Sequence, residues 1–180
     1  MGDPVSTDKW VALLRGVNVG GGNKVPMAEL RALAEGLGWR EARSYIASGN
    51  LVFVAEGEAA GLATALRMAM AREMGVDVPV YVLSAAEVAR ALADCPFAPE
   101  KGNLCHVYFL WSEPQVDWRA YEELRGPREE LAIAGRVAWL HTPDGFARSK
   151  LAEKLGRVFG GTDMTARNLN TLRKLTEMSS

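Results

Sequence analysis

The chain has 180 residues, 48% hydrophobic and 24% charged, with a formal net charge of −1. That length allows one sizeable core or two small ones, and the composition is that of an ordinary globular protein. The near-neutral charge excludes a global nucleic-acid signature, and no apolar run approaches the ~20 residues of a membrane helix.

Residues 1–9 lack a basic-then-apolar leader pattern, and two cysteines, Cys95 and Cys105, fit a reducing compartment. The expected location is the cytoplasm. Charge is uneven along the chain. Residues 145–180 hold seven basic and three acidic side chains, a net +4, which leaves −5 on the first 144 residues. The basic C-terminal fifth is either a face for an anionic partner or a pair of solvated helix faces.

Residues 9–19 read as a buried strand running into a loop over residues 15–24. That loop holds Arg15, Asn18, Gly20, Gly21, Gly22, Asn23 and Lys24. Pro26 suits the first turn of a helix, Met27, Leu30, Leu33, Ala34 and Leu37 recur at helical spacing, and Gly38 suits a left-handed cap. Residues 45–47 and 51–54 are two short β runs broken by Ser48, Gly49 and Asn50, which predicts a hairpin. An acidic turn at residues 56–58 leads to a helix carrying Leu62, Leu66, Ala69, Met70 and Met74, closed by Gly75. Residues 76–83 read as a strand, with Pro79 at its start or on a sheet edge. The order is β-α-β-β-α-β, the ferredoxin-like unit.

Ser84 and Glu87 form a capping box that opens a third helix at Ala85, ending before Pro96. Residues 97–103 are the expected junction between a first subdomain, residues 9–96, and a second, residues 104–180. A strand follows over residues 104–111, then a helix capped by Asp117 and broken at Gly126 and Pro127. Residues 131–133 and 136–141 read as strands joined at Ala134 and Gly135, residues 149–159 as a helix, and residues 165–178 as the last helix. The second half is thus β-α-β-β-α. The expected fold is α+β, a duplicated ferredoxin-like pair of antiparallel sheets with packed helices. The duplication rests on element order, because no sequence repeat is visible.

The glycine loop is the first candidate site. Glycine permits positive φ and close backbone approach. The phosphate-loop spacing fails, because Gly22 stands where Lys is required and Val25, not Ser or Thr, follows Lys24. The dinucleotide fingerprint fails too, because Gly20 and Gly22 are followed by Val25 at the third glycine position. Backbone N–H groups, a helix N-terminus and Lys24 remain as elements that can hold an anion; the alternative is a tightly turned connector with solvated charges. Ser48 and Asn50 are either hairpin-turn residues or a second part of the site. In a last helix, Arg167, Asn170, Thr171 and Lys174 fall on one face about 100° wide, with Leu169 and Leu172 roughly opposite. Two interior asparagines, Asn168 and Asn170, have poor helix propensity, which points to a role beyond local stability.

No zinc spacing is present, and Cys105 and His106, being adjacent in a strand, point to opposite faces. Both cysteines are expected to be structural. His141 is the one general base suggested by residue type, with no triad pattern around it. The tryptophans are read as core or interface residues.

Residues 12–21, 24–30, 45–50 and 165–172 together resemble a bacterial family known as domain of unknown function 1697, over about residues 10–177. That family usually carries Trp between the two asparagines of its last motif, where this chain has Leu169. The resemblance implies a tandem ferredoxin-like α+β arrangement and no established activity. The first functional expectation is a binding module for a phosphate-containing small molecule or a nucleic-acid backbone. It draws on Arg15, Lys24 and the glycines, with Arg167, Asn170 and Lys174, and needs no cofactor, metal or membrane. The alternatives are an enzyme acting on a phosphorylated or nucleotide-like molecule, and a protein–protein adaptor.

Overall fold

Five consecutive apolar residues, Trp10 to Leu14, form the C-terminal part of strand β1 (Thr7–Leu14), and all five are buried. An unbroken apolar run suits a strand covered on both faces. The computed structural model describes residues 7–180; residues 1–6, on which much of the leader reading falls, lie outside the described residues. The chain divides into two compact units, Met1–Arg90 with Arg173–Ser180, and Ala91–Leu172.

In the first unit, β1 is followed by α1 (Met27–Gly36), β2 (Arg40–Ser44), β3 (Asn50–Glu56), α2 (Ala59–Met74), β4 (Val80–Ser84) and α3 (Ala85–Ala93), the last three residues of which are assigned to the second unit. The sheet order is β2-β3-β1-β4, antiparallel throughout. Trp10, Ala12 and Leu14 alternate with Val11 and Leu13 and pack with Leu30 and Ala34 of α1 and Leu62, Leu66 and Met70 of α2. Trp39 stacks on Phe53 with ring centroids 4.1 Å apart. Gly75 ends α2 at φ +67, as expected of a left-handed cap, and the Ser84 hydroxyl accepts from the Glu87 N–H at the start of α3.

In the second unit, a single 3-10 turn (Gly102–Leu104) leads into β5 (Cys105–Leu110), α4 (Trp118–Leu124), β6 (Glu130–Ala134), β7 (Val137–His141), α5 (Lys150–Glu153), α6 (Leu155–Val158) and β8 (Met164–Asn168). The sheet order is β6-β7-β5-β8, the positional counterpart of the first. Tyr108, Leu110, Ala138 and Leu140 pack with Tyr121, Leu151, Leu155, Val158 and Phe159. Asp117 caps α4 by accepting from the Ala120 N–H at 3.0 Å. The last helix, α7 (Leu169–Met178), contributes residues from Arg173 onward to the first unit. There Lys9 Nζ donates to the Ser180 carbonyl at 2.7 Å and Arg43 donates to the Met178 carbonyl. The fold is thus α+β, with two antiparallel sheets, packed helices and a βαββα order that occurs twice. Among the described residues no helix is long and apolar enough to cross a membrane.

Five sequence expectations need correction, the first being that residues 76–79 lead into β4 without belonging to it. β1 ends at Leu14, and residues 15–19 leave the sheet. Residues 45–47 are a loop: they carry no strand assignment, and Ile46 turns the chain at a left-handed φ of +48. Residues 150–158 are two short helical pieces, interrupted at Lys154 (φ −110, ψ +21). Residues 164–168 are a strand: Thr165 and Arg167 alternate inward along β8, which pairs with β5. The helical leucine spacing starts only at Leu169, so the shared face drawn for Arg167, Asn170, Thr171 and Lys174 does not exist. A closing strand therefore completes the second half as it does the first.

Candidate functional site

The glycine string forms a miniature hairpin. The Gly22 N–H donates to the Val19 carbonyl at 3.2 Å, and between them Gly20 and Gly21 take φ +59 and +78. Two central residues with positive φ mark the turn that suits the twist of a tight hairpin, and glycine accepts that conformation without strain. Outside it, the Asn18 N–H donates to the Asn23 carbonyl at 3.0 Å. The residues from Asn18 to Lys24 are all exposed, whereas Val17 and Val25 at the base are buried.

Asn18 organises this hairpin. Its Oδ1 accepts from the Val25 N–H at 2.8 Å, and its Nδ2 donates to the Val25 carbonyl at 2.8 Å and to the Ala47 carbonyl at 2.7 Å. The partners fix the amide orientation, since an N–H needs an acceptor and two carbonyls need donors. Asn18 itself stands at φ +56, which asparagine tolerates better than most residues. The third bond links the glycine hairpin to the turn that precedes β3.

That turn is held from both sides. Buried Asn50 donates through Nδ2 to the Tyr45 carbonyl at 3.0 Å and to Ser48 Oγ at 2.9 Å, and its own carbonyl accepts from the Tyr45 N–H. The Gly49 carbonyl accepts from the Leu14 N–H at 2.9 Å. Gly49 is at φ +86, and a Cβ there would lie 2.7 Å from Leu14 Cβ and 2.8 Å from Val17 Cγ2. The first two sequence motifs therefore meet, and they meet because glycine lets the turn lie directly on the end of β1.

A cavity of about 460 Å3 opens where they meet, lined by Asn18, Gly21, Gly22, Lys24, Val25, Pro26, Met27 and Ala47. Its floor is the start of α1, whose N-cap, Pro26, has no side chain that can accept from the first-turn N–H groups. Those N–H groups and the helix dipole favour negative charge, part of which Glu29 in the first turn already supplies. Lys24 is exposed at the cavity, and Arg15 is exposed at the end of β1, its N–H donating to the Pro79 carbonyl. Two apolar side chains, Val19 and Ile46, are 60% and 52% exposed. Ile46, β-branched at positive φ, is strained as well, and such strain persists only where surrounding structure holds it.

The third motif behaves differently. Arg167 on β8 is buried, and its Nη1 donates to Thr165 Oγ1 at 3.0 Å and to the Ala166 carbonyl at 2.8 Å. Burial pushes the guanidinium pKa down to about 10, so it remains charged at neutral pH. Asn168 caps α7, its Oδ1 accepting from the Thr171 N–H at 3.0 Å. Leu169 is buried and is a packing position here. Asn170 is exposed, and half-buried Lys174 pairs with Glu177 at 3.6 Å. Arg167, Asn168 and Asn170 belong to the second unit, and Lys174 to the first.

His106 stacks on Phe146 at 3.7 Å, and burial pushes its pKa down to about 4. Its Nδ1 and the Tyr108 hydroxyl are buried without a hydrogen-bond partner, and burial raises the Tyr108 pKa. His141 stacks with Phe97 at 5.7 Å and lies 4.0 Å from Glu130. Among the described residues no three His, Cys, Asp or Glu side chains gather as a metal site requires. The two thiols are neighbours, Sγ to Sγ 3.8 Å, a proximity no local spacing rule could reveal. Trp118 is 56% exposed, unlike buried Trp10, Trp39 and Trp139, so it is not a core residue.

A comparison with curated proteins returns no match. The chain is similar in structure to the conserved bacterial protein SP0830 from Streptococcus pneumoniae. The TM-score is 0.74 at 26% identity, over 97% of this chain and 100% of that one. Residues 7–139 match the family described as a protein of unknown function, DUF1697. The match spans most of the chain and includes the glycine hairpin, Asn18 and the turn before β3: the chain belongs to the DUF1697 family.

Proposed function

We propose that this protein is a binding module for a phosphate-containing ligand, seated in the cavity between the glycine hairpin and the start of α1. One observation carries the reading: two motifs 23 residues apart, at Lys24 and Ala47, line one cavity of about 460 Å3 at a helix start whose N-cap side chain cannot accept. Lys24 supplies the charge and first-turn N–H groups the donors, with Arg15, Gly20, Gly21, Gly22 and Asn23 around them. Asn18, Ser48 and Asn50 act as positioning residues, because their side chains are engaged in holding the hairpin and the turn. On this reading the protein works in the cytoplasm, and its halves are a duplicated ferredoxin-like pair.

The test is a thermal-shift screen of nucleoside mono- and triphosphates, phosphosugars and mixed-sequence oligonucleotides, repeated with Lys24→Ala. A probe that raises the melting temperature of the parent but not the variant supports the site. Equal stabilisation of both removes Lys24 from it, and no stabilisation by any probe ends the reading. Binding that weakens steeply with salt and ignores sequence identifies a nucleic-acid backbone over a small molecule. The exposed Val19 and Ile46 favour a second reading, an adaptor whose apolar fingertip enters a protein partner.

A further inference from the structure

The two cysteines lie ten residues apart in sequence on very different backbones. Cys105 begins the central strand β5 and is fully buried. Cys95 is half-buried, two residues beyond the end of α3, in a stretch without regular structure up to the 3-10 turn. Cys95 Sγ is placed to donate to the Phe97 carbonyl at 3.5 Å, and it lies 3.8 Å from Cys105 Sγ, an ordinary sulfur–sulfur contact. A disulfide requires the sulfurs to close by about 1.8 Å to its length of about 2.05 Å. Cys105 is fixed in the sheet, so the approach falls to Cys95, whose segment carries no ladder hydrogen bonds. Both residues belong to the second unit, so the contact needs no domain movement.

We propose that Cys95 and Cys105 form a peroxide-oxidisable dithiol site, with Cys95 the first thiol attacked and Cys105 the resolving thiol. In the first step the Cys95 thiolate attacks one peroxide oxygen. The O–O bond breaks, the leaving oxygen departs as water after protonation, and Cys95 becomes a sulfenic acid. In the second step the Cys105 thiolate attacks Cys95 Sγ. The S–S bond forms, the S–O bond breaks, and a second water leaves. Two thiols and one peroxide give one disulfide and two waters, so sulfur loses the two electrons the peroxide takes up. The bond ties the segment after α3, including Phe97 that stacks on His141, to the middle of the second sheet. In a reducing environment the pair rests as thiols, and the disulfide records an oxidant pulse.

The experiment treats the full chain with hydrogen peroxide and maps its peptides without reduction, with dimedone present as a sulfenic-acid trap. The expected parent product is one internal Cys95–Cys105 linkage, two hydrogens lighter and reversed by dithiothreitol, with little dimedone adduct. Cys105→Ser should convert that product into a dimedone adduct on Cys95, whereas Cys95→Ser should leave Cys105 unreacted. The melting temperature of the oxidised parent should rise by about 5 °C, because a closed loop of ten residues restricts the unfolded chain. If Cys105→Ser fails to fold, the parent map and Cys95→Ser still decide. Linkage between copies, dimedone or sulfinic products in the parent, faster reaction at Cys105, or a lower melting temperature on oxidation would each overturn the proposal.

Discussion

Asn18 and Asn168 make the same kind of bond for opposite reasons. Asn168 accepts from an N–H three residues on and starts a helix. Asn18 reaches Val25, seven residues on, and Ala47, 29 residues on, so it joins two loops that the sequence leaves separate. Around Asn168, buried Arg167 donates to Thr165 and Ala166 of its own strand, and Asn168 caps its own helix. Around Asn18 the polar groups build a scaffold and leave Lys24 exposed at a cavity. A polar motif therefore has two meanings: bonds that stay local consume it, whereas bonds that span the chain can free its neighbours for a ligand.

The sharpest way to break the glycine-hairpin assembly is Gly49→Ala. The added methyl would meet Leu14 and Val17 inside 3 Å, at a φ of +86 that alanine resists. Left-handed strain and overpacking together are expected to cost about 3 kcal/mol or more, read as a lower urea midpoint at unchanged slope. The same change should remove the cavity, because the turn must lift off β1. Retained stability would mean that the contact between the two motifs is loose.

The second region is best probed through His106, the register partner of Asn168 on β5. Its folded pKa lies near 4, well below the ordinary 6.5, because burial disfavours the imidazolium. The unfolded chain therefore binds this proton first as pH falls. His106 costs nothing above pH ~6.5, and stability drops as pH falls from there to about 4, by about 2 kcal/mol after allowance for partial exposure. His106→Phe keeps a ring against Phe146 and should flatten this slope. The readout is the parent-minus-variant difference in urea stability across pH 4 to 7, which cancels the carboxylates common to both. Equal slopes would show that the imidazole is hydrated in the folded state.

Much of the fold was legible in the sequence. Gly75, Ser84, Asp117 and Gly135 sit where local chemistry puts them, because caps and turns involve partners three or four residues away. The β8–α7 junction is not legible in the sequence, because residues 165–168 are short, polar and flanked by a strong leucine period, and the strand is defined only by its pairing with β5. The glycine loop stands out in the sequence by composition, but its form does not, since Asn18 ties it to residue 47, 29 positions away. Gly49 read as an ordinary turn residue, and only the packed end of β1 shows why nothing larger fits there. The Cys95–Cys105 contact was invisible for the same reason: nothing in a ten-residue spacing says that a helix end and a strand start will meet.

The smallest expected effect tests the comparison most directly, through Asn18→Ala beside Asn168→Ala. Loss of the Asn168 cap should cost about 1 kcal/mol and leave the glycine hairpin untouched. Asn18→Ala removes three bonds, but its partners border an exposed loop where water replaces much of what is lost, so a cost of about 1–2 kcal/mol is expected. The distinction lies in where the protection goes. Amide exchange at Val25, Gly22 and residue 18 should accelerate in Asn18→Ala alone, and exchange at Thr171 in Asn168→Ala alone. Asn18→Asp adds a control, since a carboxylate keeps the bond from the Val25 N–H but faces the Val25 and Ala47 carbonyls without a donor. It should loosen the turn more than the alanine does. If Asn18→Asp were as protected as the parent, the amide would not be what couples the hairpin to the turn, and the shared cavity would have to be explained by the Leu14–Gly49 bond alone.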